Sequence, residues 1–223
     1  MEIIKTDSLE KIYSDNGVPV HALRGIDLSI QKGEYIVFAG PSGSGKTTLL
    51  NLIGALDKPT KGKVFYEGKD ISQKSKKALS DFRLNNLGFI FQAYNLIPVL
   101  SALENIEFSM MLKGVEQKIR NERAFSLMKD LEIEELAHKK PNEMSGGQQQ
   151  RVAVARAIIN DPTVVLADEP TANLDSKTGG LLLDLMEKMN EDKKITFIFS
   201  SHDKQVIERG KRLLMLKDGL IEK

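Results

Sequence analysis

The 223-residue sequence contains no cysteine, which excludes a disulfide framework, a thiolate nucleophile and cysteine-ligated metal. It carries almost no net charge: 32 Lys and Arg against 31 Asp and Glu leave +1, so the overall balance gives no sign of a nucleic-acid binder. The opening stretch MEIIKTDSLEKIYSD scatters its charges and lacks an apolar core segment. It is not a secretory signal, and the chain is expected in the cytoplasm. No stretch is fit to cross a membrane. The uncharged span between Arg83 and Glu104 is long enough, but Asn85, Asn86, Gly88, Gln92, Asn95, Pro98 and Ser101 interrupt it, and their polar groups would be stranded in lipid. It reads as a buried strand running into a loop. Repeats and low-complexity segments are also missing. What remains is an ordinary globular composition, 41% hydrophobic and 28% charged, with enough chain to bury a sizeable core.

Short apolar runs rich in β-branched and aromatic residues recur at Tyr35–Ala39, Leu87–Phe91, Thr163–Ala167 and Ile195–Phe199. They lack the in/out alternation of a half-exposed sheet, as strands do when both faces of a parallel sheet are covered. Helical patterns follow or precede them over Lys46–Leu56, Gly146–Asn160 and Ser176–Asn190. The N-terminal runs Ile3–Tyr13, Gly25–Ile30 and Lys63–Tyr66 are joined by Gly/Asp turns and read as an antiparallel layer. Ser101–Leu136 reads as helical throughout, opened by a Ser101/Glu104 capping box, and interrupts the strand–helix alternation. The fold class expected is therefore α/β: a mostly parallel central sheet, an N-terminal antiparallel β layer and an inserted helical subdomain. Residues 1–223 form one domain, with the insertion at approximately 93–145. Lys74–Lys77 reads as a solvated helix start.

Directly after the first central strand, Gly40-Pro41-Ser42-Gly43-Ser44-Gly45-Lys46-Thr47 fills every fixed position of GxxxxGK[ST]. Chance produces such a match in about 1 in 100 chains of this length. The glycines let the backbone wrap tightly and turn its N–H groups inward as an anion nest. The helix that starts near Lys46 adds its positive end. Lys46 would reach the β- and γ-phosphates of a nucleotide, the Thr47 hydroxyl would ligate Mg²⁺, and Thr48 belongs to the same cradle.

At Val164–Asp168 a second apolar strand ends in a carboxylate, followed by Glu169. Such a strand delivers its acid to the crevice where α/β sheets bind ligands. Asp168 fits a Mg²⁺-holding role, and Glu169 fits a general base beside it. Another glycine pair appears at Ser145-Gly146-Gly147-Gln148, where Ser145 is a good N-cap and a helix follows. Two anion-binding helix starts for one triphosphate point to a nucleotide shared between two chains in a two-fold dimer.

These residues resemble the ATP-binding subunit of ABC transporters over essentially the whole chain. Ser145–Gln148 is similar to that family's signature motif, with Met144 where Leu is usual, a volume-conserving swap. The resemblance implies further roles. Tyr13 would stack on adenine, and Gln92 would contact Mg²⁺ and the attacking water. Asn173-Leu174-Asp175 would cross the dimer interface, with Asn173 in place of the commoner Ala. His202 would contact the γ-phosphate. His21 and His138 match nothing and read as structural.

The resemblance implies an active ATPase that closes as a homodimer around two ATP with Mg²⁺ and drives a separate integral-membrane permease, docked near Tyr94–Pro98. The chain would then sit on the inner face of the cell membrane through that partner. Ala55–Gly62, Phe91–Pro98 and the run from Ser101 resemble the lipoprotein-release (LolD) and macrolide-exporter (MacB) branch, with the cell-division ATPase FtsE as a close cousin. A soluble, non-transport ABC ATPase and a small-molecule kinase are the rival readings. The first lacks its long coiled-coil insertion or second ATPase unit here, and a kinase has no reason to carry the serine–glycine turn. No nucleic-acid partner is expected.

Overall fold

The computed structural model describes residues 1–15 and 18–222. β1 (Glu2–Asp15) and β2 (Val18–Gln31) pair antiparallel. From Leu23 onward, β2 buries Leu23, Ile26, Leu28 and Ile30 while the residues between them face outward. β3 (Tyr35–Ala39) is wholly buried and leads through the glycine loop into α1 (Lys46–Ile53). β4 (Lys61–Tyr66) and β5 (Lys69–Asp70) extend the N-terminal layer. α2 (Lys76–Asn86) runs directly into β6 (Leu87–Ile90). Then come α3 (Ala102–Leu112), α4 (Gln117–Asp130) and α5 (Gly146–Ile158). The rest alternates: β7 (Val164–Asp168), α6 (Ser176–Lys193), β8 (Thr196–Ser201), α7 (Lys204–Arg209), β9 (Arg212–Lys217) and β10 (Leu220–Ile221).

Two sheets result. The four-stranded antiparallel one has the order β2-β1-β4-β5, and the six-stranded one has β10-β9-β3-β8-β7-β6. In the latter every neighbouring pair from β9 to β6 is parallel, and β10 folds back antiparallel on β9. Strands of the large sheet alternate between two cores. Tyr35, Val37 and Ala39 of β3, Val165 and Ala167 of β7, and Phe197 and Phe199 of β8 pack with α3 to α6. Ile36, Phe38, Val164, Leu166 and Ile198 face the other way, against α1 and the antiparallel layer. A side chain of this size contributes roughly 1.5–3 kcal/mol on full burial, so a strand buried on both faces favours apolar residues along its centre, and the buried polar residues of β8, Thr196, Ser200 and Ser201, lie at its ends.

Several boundaries depart from the sequence expectation, among them the start of β2, at Val18 rather than Gly25. The helix expected over Ser101–Leu136 is three pieces. Gly114, at φ 74, turns the chain between α3 and α4, and Glu132, at φ 55, ends the stretch after α4 before a 3-10 turn at Glu134–Leu136. The capping box that opens α3 is present, with Glu104 N donating to Ser101 Oγ (3.2 Å) and Ser101 N to Glu104 Oε2 (2.7 Å). α1 stops at Ile53 rather than Leu56. A Cβ on Gly54 would lie 2.7 Å from the Phe89 ring and 2.8 Å from Leu166, so only glycine lets the helix end close onto the sheet. Finally, α2 begins within the Lys74–Lys77 helix start, with Ser75 as N-cap (Ala78 N to Ser75 Oγ, 3.2 Å), and runs on to Asn86, past Arg83 where strand was expected. No helix among the described residues is long and apolar enough to cross a membrane.

Candidate active site

The sheet order puts β3 beside β8 and β8 beside β7, so the loops after all three strands open at one edge. The first is the glycine loop. Gly40 (φ 148), Gly43 (φ 80) and Gly45 (φ 103) all adopt backbone that a side chain resists. A Cβ on Gly40 would sit 2.1 Å from the Leu216 carbonyl oxygen, and one on Gly45 2.6 Å from that of Ala22. The loop is thereby pressed against β9 and β2. Lys46 is almost fully buried and donates to the carbonyls of Gly40 (2.8 Å) and Pro41 (2.9 Å), with no carboxylate partner among the described residues. Ser44 Oγ is buried with no hydrogen-bond partner. A curled loop, an ammonium without a counter-ion and an orphaned hydroxyl form a cradle that fits a polyphosphate.

The second loop follows β7. Thr47 Oγ1 donates to Asp168 Oδ1 at 3.1 Å, which brings together two of the three groups read as Mg²⁺ ligands; the third, Gln92, lines the same cavity as Thr47. Among the described residues no cluster of three His, Cys, Asp or Glu side chains could hold a metal by itself. A hydroxyl and one carboxylate beside a phosphate cradle are nonetheless the hard oxygen donors that Mg²⁺ takes together with substrate phosphates. Glu169 stands in left-handed backbone (φ 46), with its N–H donating to the Ser200 carbonyl (2.8 Å). Its side chain meets the third loop, after β8. Glu169 Oε1 lies 2.7 Å from His202 Nδ1, and Ser201 Oγ donates to Oε2 at 2.8 Å. Asp203 N in turn donates to Ser201 Oγ (3.1 Å).

Pro41, Ser42, Gly43, Gly45, Lys46, Thr47, Thr48, Gln92, Glu169 and His202 line one cavity of about 490 Å³, together with Val20, His21 and Ala22 of β2. His21, read from sequence as structural, therefore belongs to the cavity wall. His138 is exposed and does not line the cavity. Ser201 and the β2 segment were missed because no local pattern marks them; only the β3–β8 pairing and the closeness of β2 to Gly45 bring them in. Tyr13 sits at the rim, not in the lining. It faces Val20 across the β1–β2 pair, its hydroxyl donates to Asp57 Oδ2 (3.0 Å), and the Lys11 ammonium lies 4.8 Å from its ring centre. Burial and the neighbouring Asp57 raise the Tyr13 pKa.

Ser145–Gln148 and Asp175 stand outside this cavity. Ser145 and Gln148 form a capping box at the start of α5, with Gln148 N donating to Ser145 Oγ (3.3 Å) and Ser145 N to Gln148 Oε1 (2.9 Å). Asp175 caps α6 by accepting from Lys177 N (3.1 Å), Thr178 N (3.0 Å) and the Thr178 hydroxyl (2.6 Å). The Thr178 hydroxyl, followed by those backbone donors, lowers its pKa. Met144 is buried in the core beneath the turn, as a leucine would be.

The Gln92 loop connects these parts. Asn173 Nδ2 donates to the Gln92 carbonyl (2.8 Å), and the Tyr94 hydroxyl lies over Gly146, where a Cβ would come within 2.7 Å of it. Tyr94 and Asn95 both take left-handed backbone (φ 58 and 49), and the Arg156 guanidinium of α5 donates to both of their carbonyls. Leu96 packs against the core instead of standing free. Beside this loop a groove of about 360 Å³ runs along the β6 edge, between α2, α3 and α5.

Comparison with known proteins fits this geometry. Residues 23–172 match the family model described as ABC transporter. An uncharacterized ABC transporter ATP-binding protein of Thermotoga maritima is 47% identical over 95% of this chain and 90% of its own length. The lipoprotein-releasing system ATP-binding protein LolD of Syntrophus aciditrophicus is 40% identical over 98% of each. The macrolide export ATP-binding/permease protein MacB of Hyphomonas neptunium is 42% identical over 98% of this chain, which spans only 34% of that longer protein. Among solved structures, the dimeric ABC transporter cassette MJ0796 of Methanocaldococcus jannaschii superposes with a TM-score of 0.93 at 43% identity, covering 99% of this chain and 97% of that one. A second structure of the same cassette, a dimeric post-hydrolysis state bound to ADP and Pi, superposes equally well, at 0.93.

Proposed function

From the premise that the chain belongs to the ABC transporter family, as an ATP-binding ATPase cassette, we propose that it works as a two-fold dimer that closes around two ATP and drives a separate membrane permease. The observation that carries this is a division within one chain. The phosphate loop, Glu169 and His202 gather round one cavity, with Asp168 hydrogen-bonded to Thr47 of its wall, while the capped turn Ser145–Gln148 stays outside it. A second copy, turned about a two-fold axis, would supply that turn and the Asp175 loop to the first copy's nucleotide. The dimeric state of the MJ0796 cassette supports the reading.

Within each site the roles follow from the geometry. The loop N–H groups and Lys46 hold the β- and γ-phosphates. Tyr13 offers its ring to the base at the rim. Thr47, Asp168 and Gln92 would hold Mg²⁺, which when bound neutralises phosphate charge. Glu169 accepts a proton from the water that attacks the γ-phosphorus, its carboxylate aimed by Ser201 and His202. His202, on the cavity wall, also reaches the γ-phosphate.

The helices α3 and α4 and their flanks, residues 93–145, act as a subdomain carrying the turn. The permease docks against the groove beside Tyr94–Pro98. Its task is lipoprotein release or peptide/macrolide export, as the names of the LolD and MacB relatives support, and the cassette lies on the inner face of the membrane.

The test is Glu169→Gln, which keeps the cradle and removes the base. We expect turnover to fall by about 10²–10⁴-fold and the protein to elute as a dimer with ATP and Mg²⁺ by size exclusion with light scattering. A variant that stays monomeric with bound ATP overturns the sandwich.

A further inference from the structure

The groove beside the Gln92 loop has a wall that is apolar and cationic without a single anion. Phe89, Phe91, Leu84 and Leu112 are among its apolar lining, and Arg83 and Arg156 supply the charge; no Asp or Glu lines it. The Phe89 and Phe91 rings stack at 5.8 Å. Neither arginine forms an ion pair among the described residues, where other arginines do. Arg83 donates to the Ala55 carbonyl (2.7 Å), and Arg156 to the carbonyls of Tyr94 and Asn95. Carbonyls satisfy N–H groups but leave the positive charge uncompensated.

Covering such a wall has a cost that depends on what covers it. A purely apolar partner would strip the remaining water from two cations and give nothing back, and an unpaired buried charge is strongly unfavourable. A partner that brings a carboxylate converts the same cations into charge-assisted, bidentate contacts. Burial already lowers the Arg156 pKa, so this guanidinium is partly desolvated before anything docks. Ser109 Oγ, also in the wall, is buried without a hydrogen-bond partner.

We infer that the occupant of this groove is an amphipathic segment of the membrane partner that presents an acidic side chain between Arg83 and Arg156. The inference rests on the permease reading above and deepens it by naming the charge of the docking segment. Because Arg156 also holds the left-handed residues Tyr94 and Asn95, the same carboxylate bears on the loop that carries Gln92.

Ser80 allows a test that leaves both arginines intact. It is exposed, lines the groove, and lies one turn before Arg83 on α2, so the two share a helix face. Ser80→Glu places a carboxylate in the groove; Ser80→Lys changes charge in the opposite sense. Both should keep wild-type basal ATPase activity, which checks their folding. The first measurement titrates isotope-labelled wild-type protein with 4-phenylbutyrate and with its uncharged amide, reading the backbone amide signals of Gly88 and Ala157. The carboxylate should bind about ten-fold more tightly, and Ser80→Glu should erase the preference. The second measurement retains tagged wild type, Ser80→Glu and Ser80→Lys on detergent-solubilised membranes and identifies the permease by mass spectrometry. Wild type and Ser80→Lys should hold it and Ser80→Glu should lose it. Equal affinity for acid and amide, or a permease held equally by both variants, overturns the acidic segment. If no variant holds a membrane protein, the permease reading fails, and the small-molecule titration still decides the character of the groove.

Discussion

Glu169 is held at three points, and each has a different cost. Its left-handed backbone is unfavourable by roughly 1–2 kcal/mol for a residue with a side chain, offset by the N–H bond to Ser200 and by the two contacts its carboxylate makes. His202 is exposed and free to turn toward a phosphate. Ser201 is fully buried at the end of β8 and has nowhere else to go. The serine is therefore the fixed point that keeps the carboxylate aimed into the cavity. Ser201→Ala should lower kcat about ten-fold with the KM for ATP unchanged, and Ser201→Thr, which keeps the hydroxyl, should restore most of it. Steady-state ATPase assays check this split; a fall in ATP affinity instead would make Ser201 part of the cradle. Nothing in the sequence marks this residue. Gly40–Thr47 is legible because loop, lysine and hydroxyl are fixed by neighbours within eight positions. Ser201, His21 and Val20 enter the site only through strand pairing across the fold, which local spacing does not encode.

At the scale of elements the same contrast holds. β3, β7 and β8 are visible in the sequence because both of their faces are covered, so their central positions are apolar and the polar Asp168, Thr196, Ser200 and Ser201 fall at strand ends. The break between α3 and α4 is not, because Gly114 can sit within a helix or end one, and only its φ of 74 decides. What joins these two helices beyond their apolar faces is a nearly buried pair: Arg120 Nε lies 3.2 Å from Glu107 Oε2, with Gln117 Nε2 also donating to that oxygen at 3.0 Å. Side-chain exposure is 13% for the arginine and 7% for the glutamate, so removing one partner strands the other. Arg120→Met should destabilise the protein by about 3–5 kcal/mol, whereas Glu107→Met/Arg120→Met together should cost much less. Urea unfolding of the two variants measures the difference. If the double variant is as unstable as the single one, packing rather than the stranded charge accounts for the loss.

At the scale of the whole molecule the question is which chain completes which site. If the turn Ser145–Gln148 serves a partner's nucleotide, lesions in the two halves of the site should behave differently according to how they are distributed among chains. Lys46→Ala damages a chain's own cradle, and Ser145→Arg damages what it offers to its partner. Each variant alone is inactive. Mixed in equal amounts, half of the dimers carry one of each, and every such dimer has one intact site. Activity should return to about a quarter of wild type if sites act independently. The complementary mixture joins wild type with the double variant Lys46→Ala/Ser145→Arg. Every mixed dimer then has two broken sites, so activity should drop to about a quarter rather than the half expected from dilution. A monomeric enzyme using its own turn would give nothing from the first mixture and half from the second. Sites that fire only as a pair would also silence the first mixture but still leave a quarter in the second. The second mixture therefore separates a shared site from a monomeric, self-sufficient one, whatever the coupling between the two nucleotides of the shared dimer.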